Sequence, residues 1–155
     1  MKKILILTCI TTLAGLSYFF YNSALTQSTY EGLPTVACLD YTRPTTQNFS
    51  LFISITIDGK SYPLDATLGH GAGTCLYDIH TNDTSGNVYI QANDNEQFHL
   101  GQFFDVWGKA FSDKKIFQYQ VANRHSLHIL VNGKSVNTYR NTLLHPNQKI
   151  DIIYQ

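Results

Sequence analysis

Leu100, Phe103, Phe104 and Trp107 fall at i, i+3, i+4 and i+7. That spacing lays one continuous apolar stripe along a helix, and such a stripe is a core face. His99 opens the segment, and Gly108 is placed to end it in a left-handed cap. Around this helix the apolar pattern changes period. Leu51, Ile53, Ile55 and Ile57 alternate with Phe52, Ser54, Thr56 and Asp58, as a strand with one buried face requires. Val88 and Ile90, then Leu127, Ile129 and Val131, then Ile150, Ile152 and Tyr154 repeat the alternation. Ile116 to Val121 reads as a further short strand. Asp58-Gly59 and Asn132-Gly133 are two-residue hairpin turns, the first returning through Lys60 to Leu64. One helix inside a chain of strands predicts an α+β domain: a β-grasp-like mixed sheet of four to five strands crossed by the helix.

The N-terminus carries an address. Met1-Lys2-Lys3 precedes eighteen uncharged residues, Ile4 to Tyr21, a length at the short end of a membrane span. Asn22 occupies the −3 position before Ala24, where signal cleavage wants a small residue. Phe19-Phe20-Tyr21 suits the membrane interface. Residues 1–24 are therefore read as a retained signal anchor, with a removed signal peptide as the alternative. Cys9 follows too few residues to end a lipidation box. The lysines stay inside, so the rest faces outward: the periplasm if the anchor is retained in a bacterial inner membrane, or the medium if it is cleaved. Residues 25–47, interrupted by Pro34 and Pro44, read as a linker and lead-in, and 48–155 as the exported domain.

Charge excludes one partner class. Eleven basic residues balance eleven acidic ones, and beyond residue 24 nine basic stand against eleven acidic, a net charge of −2. A nucleic-acid surface needs clustered positive charge. The expected partners are the membrane, through residues 4–21, and a protein or small molecule. Cys38 and Cys75 are the two cysteines of the exported part. In an oxidising compartment they form a bridge, and otherwise they are two buried thiols or one reactive thiol.

Thr67 to Gly86 reads as a flexible loop. Its glycines match neither dinucleotide nor P-loop spacing. It also holds the densest set of ligand-type side chains: His70, Cys75, Asp78, His80 and Asp83. Such a set suits zinc or copper, although His70-x4-Cys75-x4-His80 is no standard motif, and hydrogen-bonded histidines are the simpler account. Any ligand or metal site is expected here, centred on His80. His125 and His128 point to opposite faces of a strand, which spoils chelation by that pair. Cys75, His80 and Asp83 have the types of a nucleophile, base and acid, but a bridged Cys75 cannot serve. No paired carboxylates suggest acid–base catalysis.

Cys75-Leu76-Tyr77-Asp78-Ile79-His80-Thr81-Asn82-Asp83-Thr84-Ser85-Gly86 resembles the Cys-x-Tyr-x-x-His-Thr-His-Asp-x-Ser-Gly segment of a family of small exported or membrane-anchored prokaryotic domains. His99-Leu100-Gly101-Gln102-Phe103-Phe104-Asp105-Val106-Trp107-Gly108 is similar to that family's Leu-Gly-x-Phe-Phe-x-x-Trp-Gly helix. The resemblance covers about residues 49–154 and implies the fold read above. The family's histidines imply metal binding, but here Asn82 and Tyr89 replace two of them and Thr46 to Ser50 contains none. Three functions follow in descending order of support. The first is a non-enzymatic envelope binding or accessory domain without a cofactor. The second is a degenerate zinc or copper domain centred on His80, and the third a thiol enzyme using Cys75 and His80.

Overall fold

The computed structural model describes residues 35–122 and 124–155. The anchor read over residues 1–24 and the first part of the lead-in lie outside them. Among the described residues no helix is long and apolar enough to cross a membrane.

Strand β1, Gln47–Ile57, is the longest element, and its alternation is the one expected: Leu51, Ile53, Ile55 and Ile57 are buried. Along one side it pairs in parallel with β10, Lys149–Tyr154. Along the other it takes two antiparallel partners in succession. Gln47 to Phe52 pair with β4, Asn87–Ala92, and Ile55 to Ile57 pair with β2, Lys60–Tyr62. Gly86 sits where the partner changes. Its φ is +101° and a Cβ would come within 2.7 Å of the Ile53 carbonyl, so a side chain there meets both strain and a backbone clash.

The rest of the sheet is built outward from this pair. Strand β3, Ile79–His80, adds to β4. Strand β8, Leu127–Val131, adds to β10 and carries β9, Lys134–Val136. The result is a mixed seven-stranded sheet, larger than the four to five strands expected. A second sheet of three strands, β5 (Phe111–Ser112), β6 (Lys115–Ile116) and β7 (Tyr119–Gln120), stands where the sequence predicts one short strand. Strands of two or three residues are too short to display a period.

Residues 116–121 are the clearest local correction. Instead of one strand, the chain turns back between Ile116 and Tyr119, with Phe117 at φ +54°. A left-handed Phe costs about 1–3 kcal/mol. Burying its ring, worth about 1.5–3 kcal/mol, offsets that cost. The ring lies 4.5 Å from Tyr62 and 5.5 Å from Trp107 between centroids.

Helix α1, Leu100–Trp107, follows the apolar stripe, and Leu100, Phe103 and Phe104 are wholly buried. The Gln102 side-chain oxygen accepts the His99 backbone N–H at 2.8 Å, closing the first turn. Gly108 caps the last at φ +68°. No acid in the first turn or base in the last complements the helix dipole. Eight residues without that help hold their shape by packing. Phe104 stacks on Phe111 at 4.1 Å, and Trp107 meets Phe103 at 5.6 Å.

The lead-in is no loose linker where it is described. Val36 is buried in the core, Leu39 N–H donates to the Leu76 carbonyl, and Asp78 N–H to the Ala37 carbonyl. The Asn93 side chain gathers the backbone between Asp40 and Pro44: its Oδ1 accepts Asp40 N–H, and its amide donates to the Asp40, Arg43 and Pro44 carbonyls.

Candidate functional site

The Gly69–Gly86 segment is tied down on three sides. Cys38 and Cys75 form a disulfide with Cα atoms 5.3 Å apart, linking the lead-in to the segment. Within it, Gly71 N–H donates to the Cys75 carbonyl at 2.9 Å and Tyr77 N–H to the Gly69 carbonyl at 2.8 Å, making a small hairpin. Gly69 has φ +80°, and a Cβ there would run into the Ile79 carbonyl and the His80 Cβ. Beyond it, Thr81 N–H donates to Leu68, and its hydroxyl to the Asp65 carbonyl at 2.6 Å. The flexible loop read from four glycines is instead a hairpin followed by strand β3. Backbone pairing, invisible to composition, stiffens it.

His80 lies in β3 opposite Tyr89 of β4 and is only 3% exposed. Its ring stacks on the Tyr89 ring at 5.8 Å and 19°. Nδ1 lies 3.1 Å from the Tyr77 carbonyl. A carbonyl only accepts, so Nδ1 carries the proton and Nε2 keeps the lone pair. Burial pulls this imidazole below its usual pKa. The Tyr77 bond opposes that pull, and His70 adds to it. His70 is exposed, its ring edge-on to His80 at 6.3 Å, and its Nε2 donates to the Thr81 carbonyl at 3.1 Å.

The remaining candidates are committed elsewhere. Cys75 is in the disulfide, so the thiol-enzyme reading loses its nucleophile. Asp83 is exposed and accepts the Ser85 N–H at 2.8 Å, and hydrogen bonding to Ser85 holds its carboxyl below the usual range. Asp78 is 3% exposed, and its Oδ1 is buried without a hydrogen-bond partner. Burial, with Glu96 and Asp94 adding repulsion, pushes its pKa up to about 6. The segment thus brings His70 and His80 together but does not assemble the five side chains. Among the described residues no three His, Cys, Asp or Glu side chains are grouped to hold a metal ion.

A separate cleft of about 520 Å³ opens at the start of β1, between the β4–α1 connection and residues 143–146. None of its lining belongs to Gly69–Gly86. Phe49, Phe98, Leu143, Leu144 and Pro146 supply its apolar surface, with Gln47, Asn95, Glu96, Gln97 and His145 around them. Sequence reasoning missed it because its three segments are remote in the chain and none carries a motif. The chain matches no protein-family model, no curated protein and no solved structure.

Proposed function

We propose that this chain is a non-enzymatic binding or accessory domain of the bacterial envelope, tethered through residues 4–21 to the outer face of the inner membrane. Its folded part faces the periplasm, or is released where the leader is cleaved. The observation that carries this reading is the Cys38–Cys75 disulfide. Such bridges persist in oxidising compartments and are rare in the cytosol. The bridge also removes the thiol on which an enzymatic reading would depend.

The strand order supports the finer fold assignment that goes with it. We take β4-β1-β10-β8-β9, with its central parallel pair and with α1 between β4 and β8, as a β-grasp sheet, to which β2 and β3 are additions. The resemblance to small exported prokaryotic domains belongs to the same proposal.

Cell fractionation with thiol counting tests it. The full-length chain is expected in membranes that resist carbonate, with Cys38 and Cys75 protected from alkylation until reductant is added. A soluble cytosolic chain with both thiols free overturns the reading.

A further inference from the structure

The cleft beside β1 combines an apolar floor with one uncompensated charge. Phe98 and Leu144 are almost fully buried, and Leu144 N–H donates to the Phe98 carbonyl at 2.9 Å. Floor and back wall are therefore hydrogen-bonded to each other. Leu143 pairs with His99 at the start of α1, which fixes the far wall to the helix. Phe49 is half-buried and packs against the core from β1. A cleft of this size, mostly apolar, with its two connecting segments hydrogen-bonded to each other and to β1, is of the kind that receives small molecules, which need about 300–1,000 Å³.

The lip is acidic and positioned. Glu96 is the sole carboxylate in the lining and makes no ion pair among the described residues. Its backbone is held by Gln47, whose amide nitrogen donates to the Glu96 carbonyl at 2.9 Å and to Asn95 Oδ1 at 2.6 Å. Glu96 and a further carboxylate, Asp94, both lie close enough to the buried Asp78 for their charges to be felt there. Arg43 answers only one of them, through its 2.6 Å pair with Asp94. The neighbourhood is left with a negative excess, which favours a cation over an anion at the cleft mouth.

We propose that this cleft binds a small primary amine with an apolar or aromatic body, the ring lying among Phe49, Phe98 and Pro146 and the ammonium at Glu96. The inference deepens the reading of the domain as a binding module by naming a ligand class. It does not depend on where the domain resides.

Phenethylamine is the probe, with 2-phenylethanol and 3-phenylpropionate as neutral and anionic comparators of similar shape. The full chain in neutral detergent is titrated with each and followed by NMR. Phenethylamine is expected to shift Phe49, Phe98 and Leu144 signals saturably. 2-Phenylethanol should bind more weakly by up to about five-fold, the upper end for an ion pair with an exposed carboxylate, and 3-phenylpropionate not measurably. Glu96→Gln should abolish the preference for the amine while leaving signals remote from the cleft, such as those of β8 and β9, in place. Saturation with the amine should also lower the pH at which Asp78 titrates, which detergent partitioning alone would not do. Unmoved cleft signals with phenethylamine overturn the proposal, as does a response of equal strength in Glu96→Gln. Neither result would touch the compartment and disulfide tests.

Discussion

Trp107 Nε1 donates to Asp65 Oδ2 at 2.6 Å. The contact joins the last turn of the helix to the segment after β2, whose Asp65 carbonyl also accepts the Thr81 hydroxyl. One residue therefore ties the helix end to Thr81, the residue that follows β3. The indole meanwhile sits among Phe103, Phe104, Phe117 and Tyr62.

Trp107→Ala removes the packing and the hydrogen bond together. Truncating a buried aromatic costs about 3–5 kcal/mol, close to the whole stability of a small domain. The variant is expected to be unfolded or barely folded by near-ultraviolet circular dichroism. Trp107→Phe keeps most of the ring contacts and loses the bond to Asp65, so urea unfolding should show a smaller loss of about 1–2 kcal/mol. Equal losses in the two variants would mean that the hydrogen bond, and not the ring packing, dominates.

Asp78 should make the domain more stable in mild acid. Its carboxyl has an ordinary value of 3.8 and is raised to about 6 in the fold. A raised acid favours the folded state when protonated. Its contribution is full below the unfolded value and is lost as pH rises through about 6. At neutral pH the buried charge costs about 3 kcal/mol as an order of magnitude. Asp78→Asn is expected to unfold later than the parent at pH 7.5 and at the same point near pH 4. Equal midpoints at both pH values would show that Asp78 is not strained by burial.

How much of this was readable in advance depends on the length of the signal. The helix was legible because four large side chains share one stripe and Gly108 follows it. Strand β1 was legible because its alternation runs through Leu51, Ile53, Ile55 and Ile57. Strands β3, β5, β6 and β7 have two residues each and show no period. The turn at Phe117 was hidden because a bulky residue with positive φ breaks the usual turn chemistry. The candidate segment is dense in ligand-type side chains by composition alone, whereas the Cys38–Cys75 bridge needs the fold, because spacing does not bring two Cα atoms to 5.3 Å. That His70 and His80 each place a ring nitrogen on a backbone carbonyl follows from the folding of the segment, which residue types alone do not determine. Trp107 and Asp65 stand 42 residues apart, and a hydrogen bond at that separation leaves no local trace.

The disulfide should fasten the lead-in more than it shapes the core. Its cysteines are 37 residues apart, for which the chain-entropy account gives about 3–4 kcal/mol. Cys38→Ser is expected to lower the urea midpoint accordingly. Amide exchange should quicken first at Leu39 and Asp78, whose N–H groups join the lead-in to the segment. Exchange that quickens equally in β1 and β10 would mean that the bridge supports the whole domain.

His80 is expected to act through hydrogen bonding and stacking, with little affinity for metal. Its protonated Nδ1 is held by the Tyr77 carbonyl, and one face of the ring is covered by Tyr89. Its nearest imidazole, His70, has given Nε2 to Thr81. One free nitrogen on each ring, without a grouped third ligand, is a weak site for zinc or copper(II). Calorimetric titration of the full chain should therefore find no stoichiometric submicromolar binding that depends on His80. Tight binding abolished by His80→Ala would reverse this view. Stability supplies an independent check. Burial lowers the His80 pKa from its ordinary 6.5, so the imidazole favours the fold while neutral. Above about pH 6.5 it imposes no cost, and as pH falls below that value the unfolded chain gains protons first. This opposes the gain from Asp78 over part of the same range. In Asp78→Asn the opposing gain is gone, and stability should fall steadily as pH drops from 6.5 toward 5. A second change, His80→Gln, should flatten that fall, because glutamine does not titrate there. If the slope is the same with and without His80→Gln, the buried imidazole is not its source.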